Sequence, residues 1–193
     1  MVMDPMAWGD HVEPGAQPGL GRFVYLADAR FLPGGETRMH PHREIDVISV
    51  MLEGRIAHQG SLEHGQELQP FDVQVQRAGG EGFVHNEVNP DKVENRMLQL
   101  WMLPEVPGER AAYRMYHAQP GQRLRVYGGR PGQEQTFAAH TVMEEARLQT
   151  GQELQQDSAF VAYIATGAGK GGDKPVKEGH LLRGESLHFK ATE

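Results

Sequence analysis

His40 and His42 stand two residues apart in a stretch that reads as extended, and His85 and Glu87 repeat that spacing further along the chain. Successive side chains of a strand point to opposite faces, so both imidazoles of the first pair project to the same side, and the second pair follows the same rule. The Gly79-Gly80-Glu81-Gly82 turn ahead of His85 gives the backbone the freedom to bring the second segment beside the first. Three imidazoles and one carboxylate form a mixed nitrogen and oxygen donor set. Such a set suits Fe(II), Mn(II), Ni(II), Cu(II) or Zn(II) and leaves coordination positions for water, substrate or dioxygen. A single His-x-His on a strand is more often two unrelated polar side chains than a site; two such pairs with glycine punctuation shift that balance.

The remaining composition narrows the chemistry. The 193 residues include no cysteine, which excludes disulfides, thiolate nucleophiles, iron–sulfur clusters and zinc-ribbon sites and leaves His, Asp and Glu as metal ligands. The formal charge of −7 is made of interspersed acidic and basic residues. With no basic stripe to neutralise a phosphate backbone, direct nucleic-acid binding is disfavoured. No apolar run approaches a signal or membrane-spanning segment, so the expectation is a cytoplasmic protein without membrane association. Twelve prolines and 24 glycines suit short strands joined by many reversals.

The elements that must position the two pairs follow from periodicity. After an irregular lead-in, residues 1–22, a first strand is expected over residues 23–26. Short runs follow at residues 30–32 and 37–42, separated by Pro33-Gly34-Gly35, then at 46–52 and 55–58 around the Glu53-Gly54 turn. Apolar and polar residues alternate over 70–76, and a further strand is expected over 96–103. This antiparallel, hairpin-built pattern predicts a closed barrel or a sandwich. Pro104, Pro107 and Gly108 interrupt it, and residues 109–122 read as a connector. Strands expected over 124–127, 136–138 and 159–165, with a last one around 186–189, build a second β-unit, in which Gly167 to Gly172 reads as a flexible loop tip. The domain organisation expected is thus 1–105, a connector 106–122, and 123–193.

A family resemblance enters at these motifs. Gly35, His40-x-His42, Asp46 and Gly54 are similar to the first cupin motif, and Gly82-x2-His85-x3-Asn89 fits the second. More closely, four segments resemble pirin signatures: His40-Pro41-His42-Arg43, Met51-Leu52-Glu53-Gly54, Arg77-Ala78-Gly79-Gly80-Glu81-Gly82 with His85-Asn86-Glu87, and Leu98-Gln99-Leu100-Trp101. The run from His40 to Gly54 most resembles the bacterial quercetinase-like branch. The motifs cover about residues 20 to 105. The resemblance implies an all-β bicupin of two antiparallel, jelly-roll-like barrel units, the second shortened and without a metal site. It implies one divalent transition metal per chain, Fe(II) favoured, held by His40, His42, His85 and Glu87. Asn86 stands where Ser is usual, Phe71 where Gly is usual, and the chain is shorter than typical members. Ordinary cupins take a Glu ligand from the first motif, where this chain offers Glu44 or Asp46; the pirin pattern favours Glu87.

The activity implied is a dioxygenase cleaving quercetin-type flavonols, with a small aromatic substrate and dioxygen as partners. Glu87 would be a ligand, or would leave the metal and act as general base toward the substrate hydroxyl. Met39, Met51, Phe83, Met97 and Trp101 would wall an aromatic pocket if they face inward, although such residues are more often core. The rival reading is a non-enzymatic, metal-dependent regulatory protein that binds a protein partner. A third, an isomerase or hydrolase-like enzyme, would need a pocket lined by Arg and Lys. His58 and His64 read as exposed turn residues. His117, His140, His180 and His188 are scattered singly and predict no second metal site.

Overall fold

The computed structural model describes residues 1–193, and nearly all regular structure in it is antiparallel strand. The chain divides into two compact units, one of Met1–His117 with Arg125–Glu144, the other of Ala118–Leu124 with Glu145–Glu193. This is the expected bicupin architecture, with the sheets of each unit left separate rather than joined into closed barrels.

In the first unit a six-stranded sheet has the order Val2–Met3, Phe23–Phe31, Asn95–Met102, Asp46–Glu53, Asp72–Arg77 and Ala112–His117. A four-stranded sheet has the order His40–His42, Phe83–Val88, Ile56–Gly60 and Glu67–Leu68. Register and alternation stack the facing side chains in three layers. Met51, Ile56, Leu68 and Met97 form an apolar floor. Two residues along each strand, Ser49 and Gln99 oppose each other on the large sheet, and His58 opposes Glu87 on the small one. Two residues further, Val47 and Trp101 oppose each other and share a second apolar cluster with Ala78 and Phe83. A polar layer is thus held between two apolar ones.

The outer face of the large sheet is also covered within this unit. Tyr127 donates to Asp46 Oδ2 at 2.7 Å, and Arg77 lies 3.5 Å from the same oxygen while pairing with Glu109 at 2.8 Å. The Arg77 guanidinium lies 4.5 Å from the centre of the Phe137 ring. Burial pushes the Asp46 carboxyl up, and the Tyr127 and Arg77 hydrogen bonds oppose that shift.

Several elements differ from the sequence reading. The lead-in holds a short strand, Val2–Met3, and a helical turn, Pro5–Trp8, capped by Asp4. The segment read as a connector contains the strand Ala112–His117, paired with Asp72–Arg77; as a half-exposed edge strand it shows no clear alternation. The strand expected over 136–138 begins later, at Ala139–Ala146.

In the second unit, Glu153–Gln156, Leu187–Ala191, Ala168–Gly171 and Lys174–Lys177 form one sheet, and Phe160–Tyr163 pairs with Leu181–Gly184. The glycine-rich stretch expected as a loop tip is therefore largely strand. Its composition has a packing cause: a Cβ at Gly169 would collide with the Phe189 ring and the Lys190 carbonyl of the neighbouring strand.

Candidate metal centre

The first histidine pair reaches the site on an edge strand only three residues long, His40–His42, which pairs with Phe83–Val88 so that His40 faces His85 and His42 faces Phe83. Gly82 makes this approach possible. It adopts φ +75°, and a Cβ there would lie 2.8 Å from the His42 carbonyl oxygen. Gly60, opposite His85, plays the matching part on the other side: its Cβ would come within 3.0 Å of the His85 Cα.

The three imidazoles converge. His42 Nε2 and His85 Nε2 are 3.1 Å apart, and His85 Nε2 and His40 Nε2 are 3.1 Å apart. Two nitrogens each roughly 2.1 Å from one ion, at an angle of about 95°, have this spacing. The protonation pattern fits as well. His40 Nδ1 lies 2.7 Å from the Arg38 carbonyl, which can only accept, so Nδ1 is a donor and Nε2 is the nitrogen turned toward His85. Burial, with the neighbouring His40, lowers the His42 pKa to about 4; burial, with His42, His40 and His58, lowers that of His85 to about 2. Neutral rings are the ligating form. These residues fit a divalent transition-metal ion.

Glu87 lies beside this triangle, wholly buried. Its Oε1 accepts from Ser49 Oγ at 2.8 Å and its Oε2 from Gln99 Nε2 at 2.9 Å, while the donor atoms lying within 4.8 Å of one another belong to His40, His42 and His85. Burial raises the Glu87 pKa, opposed by Ser49, the nearby His40 and Gln99. The two first-motif carboxylates are engaged elsewhere: Glu44 Oε1 accepts from the Gly108 amide at 2.9 Å, and Asp46 is held by Tyr127 and Arg77.

The structure corrects two expectations about neighbouring side chains. His58, read as an exposed turn histidine, is fully buried, with its ring centre 5.5 Å from that of His85. Its Nδ1 lies 3.1 Å from the Glu63 carbonyl and its Nε2 lies 3.1 Å from Gln76 Nε2, so it serves as a donor at one nitrogen and an acceptor at the other. Met39, expected in an apolar wall, is 55% exposed. Of the others, Met51 and Met97 belong to the floor, and Phe83 and Trp101 lie beside His42, at 5.2 and 5.6 Å between ring centres.

Residues that sequence reasoning passed over include Ser49, Gln74, Gln76 and Gln99. The signal was present in the alternation Val73-Gln74-Val75-Gln76: all four residues are fully buried, so the polar face looks into the unit rather than toward solvent. Gln74 Nε2 donates to Gln76 Oε1 at 2.9 Å, continuing the line of polar groups that ends at His58.

Comparison with known proteins places this geometry in context. The family model described as Pirin matches residues 3–102. Quercetin 2,3-dioxygenase of Escherichia coli K12 is 32% identical over 88 residues, covering 44% of this chain and 38% of that enzyme. With the first two matched relatives the alignments span 36% and 44% of their lengths, so the chain covers less than half of each. The crystal structure of the bacterial pirin YhhW from E. coli in complex with nickel(II) aligns with a TM-score of 0.79 at 18% identity, over 96% of this chain and 83% of that one. GK1651 from Geobacillus kaustophilus aligns with a TM-score of 0.71 at 25% identity, over 94% and 83%.

Proposed function

This chain belongs to the pirin family, and from that premise we propose that it is a metal-dependent dioxygenase that cleaves quercetin-type flavonols. The observation that carries the reading is the convergence of three imidazoles, with Nε2 atoms of His42 and His40 each 3.1 Å from that of His85, beside a pocket with an aromatic wall. His40, His42 and His85 would hold the ion, with Glu87 as the fourth ligand, and Fe(II) is the metal we favour. A bound ion of this kind supplies Lewis acidity toward a substrate oxygen and an open position for dioxygen.

The chain's own residues account for the rest. Ser49 and Gln99 orient the Glu87 carboxylate, and burial would make that carboxylate, when off the metal, a stronger base than an exposed one, suited to taking a proton from a substrate hydroxyl. Phe83 and Trp101 keep the His42 side of the site apolar, which limits competing reactions with water. A cytoplasmic location, without membrane or nucleic-acid binding, belongs to the same proposal; no helix is long and apolar enough to cross a membrane.

The test is elemental analysis of the purified protein and of its His42→Ala variant, paired with oxygen uptake on quercetin. We expect about one ion per chain in the parent, with metal and oxygen uptake lost together in the variant. Metal without uptake sinks the flavonol reading, and no metal even after reconstitution sinks the site itself.

A further inference from the structure

Both tryptophans of the chain, Trp8 and Trp101, line one pocket of about 410 Å³ beside His42. That volume falls within the roughly 300–1,000 Å³ typical of small-molecule sites. The two indoles are stacked, with centres 5.5 Å apart and planes 10° from parallel, and Tyr25 packs against both, at 5.5 and 4.6 Å. Trp101 in turn meets the His42 ring edge-on at 5.6 Å. An unbroken aromatic surface therefore runs from the N-terminal turn to a proposed metal ligand.

Trp8 is held in place by contacts outside the pocket. Asp4 Oδ1 accepts from the Met6 amide at 2.9 Å, which starts the Pro5–Trp8 turn, and Asp4 Oδ2 accepts from the Gly19 amide at 2.7 Å. Immediately before it, Val2 and Met3 pair with Leu26 and Tyr25.

We propose that Trp8 is a specificity-determining residue: its indole, presented by the N-terminal turn and backed by Trp101, selects flat aromatic substrates at this site. The inference deepens the dioxygenase reading, and rests on it for the position of the reacting metal. Stacking on the indole needs a planar ring system and is indifferent to its substituents.

The test compares the parent protein with Trp8→Ala and Trp8→Phe. Quercetin binding is followed by quenching of tryptophan fluorescence, which reports from Trp101 in both variants. Oxygen uptake on quercetin and metal content are measured on the same preparations. Trp8→Ala should raise the quercetin Kd about tenfold, and Trp8→Phe should recover most of the loss. In turnover, the loss should fall on KM, with kcat changed less than about twofold. Unchanged binding in Trp8→Ala, no recovery in Trp8→Phe, or no quercetin binding by the parent would each overturn the proposal. Trp8-dependent binding without oxygen uptake would refute the dioxygenase reading and leave the role of Trp8 standing; oxygen uptake with a KM indifferent to Trp8 would do the reverse.

Discussion

Ser49 and Glu87 come from opposite sheets of the first unit and meet at 2.8 Å, with neither side chain exposed to solvent. Ser49→Ala deletes the hydroxyl donor and leaves the carboxylate to Gln99, at 2.9 Å. A hydrogen bond to a buried charged acceptor is worth about 1.5–3 kcal/mol, so a loss of about 2 kcal/mol is expected in the metal-free protein. With a denaturant slope of roughly 2 kcal/mol/M, the urea midpoint should fall by about 1 M. Trp8 and Trp101 both lie in this unit, so unfolding followed by their fluorescence reads the affected unit directly. The size of the loss comes from the charge on Glu87. In a Glu87→Gln background the same Ser49 substitution should therefore cost about 1 kcal/mol less. A midpoint within about 0.2 M of the parent, or an equal loss in both backgrounds, would refute the reasoning that Ser49 supports a buried carboxylate.

Two further substitutions probe how the histidines are placed. Gly82→Ala forces a left-handed residue to carry a Cβ against the His42 carbonyl, and should lower metal affinity about tenfold or more in a chelator competition, with a stability loss of about 1–3 kcal/mol. His58→Ala opens a cavity behind His85 and removes the partner of Gln76 and of the Glu63 carbonyl; it should cost about 2–4 kcal/mol in thermal unfolding while elemental analysis still finds the metal.

The histidine pairs were legible because period two is a local property: side chains two residues apart share a face whatever the strand is paired with. His58 was not, because its burial depends on register. Only when Ile56–Gly60 pairs with Phe83–Val88 does His58 fall opposite Glu87 and inside the unit. The same holds for Gln74 and Gln76, whose alternation with valine indicates two faces without saying which looks at the site. Trp8 escaped for a different reason. A four-residue helical turn carries no periodic signal, and its position comes from Asp4 and from pairing by Val2 and Met3 with distant residues. In the second unit, glycine that composition associates with loops is required inside a strand by the Phe189 ring.

The layered interior explains why these polar residues belong together. Uncompensated, a buried carboxylate and several buried amides would destabilise a β-unit of this size. Here Glu87 is supported by Ser49 and Gln99, and Gln76 by Gln74 and His58. The apolar floor beneath supplies cohesion without polar demands, and the aromatic layer above keeps His42 and His85 poorly solvated, which holds both rings neutral. The same exclusion of water raises the pKa of Glu87. One physical condition thus produces both kinds of group the proposed chemistry requires, neutral imidazoles to bind the ion and a basic carboxylate beside them. Changes that admitted water to this layer would weaken both at once.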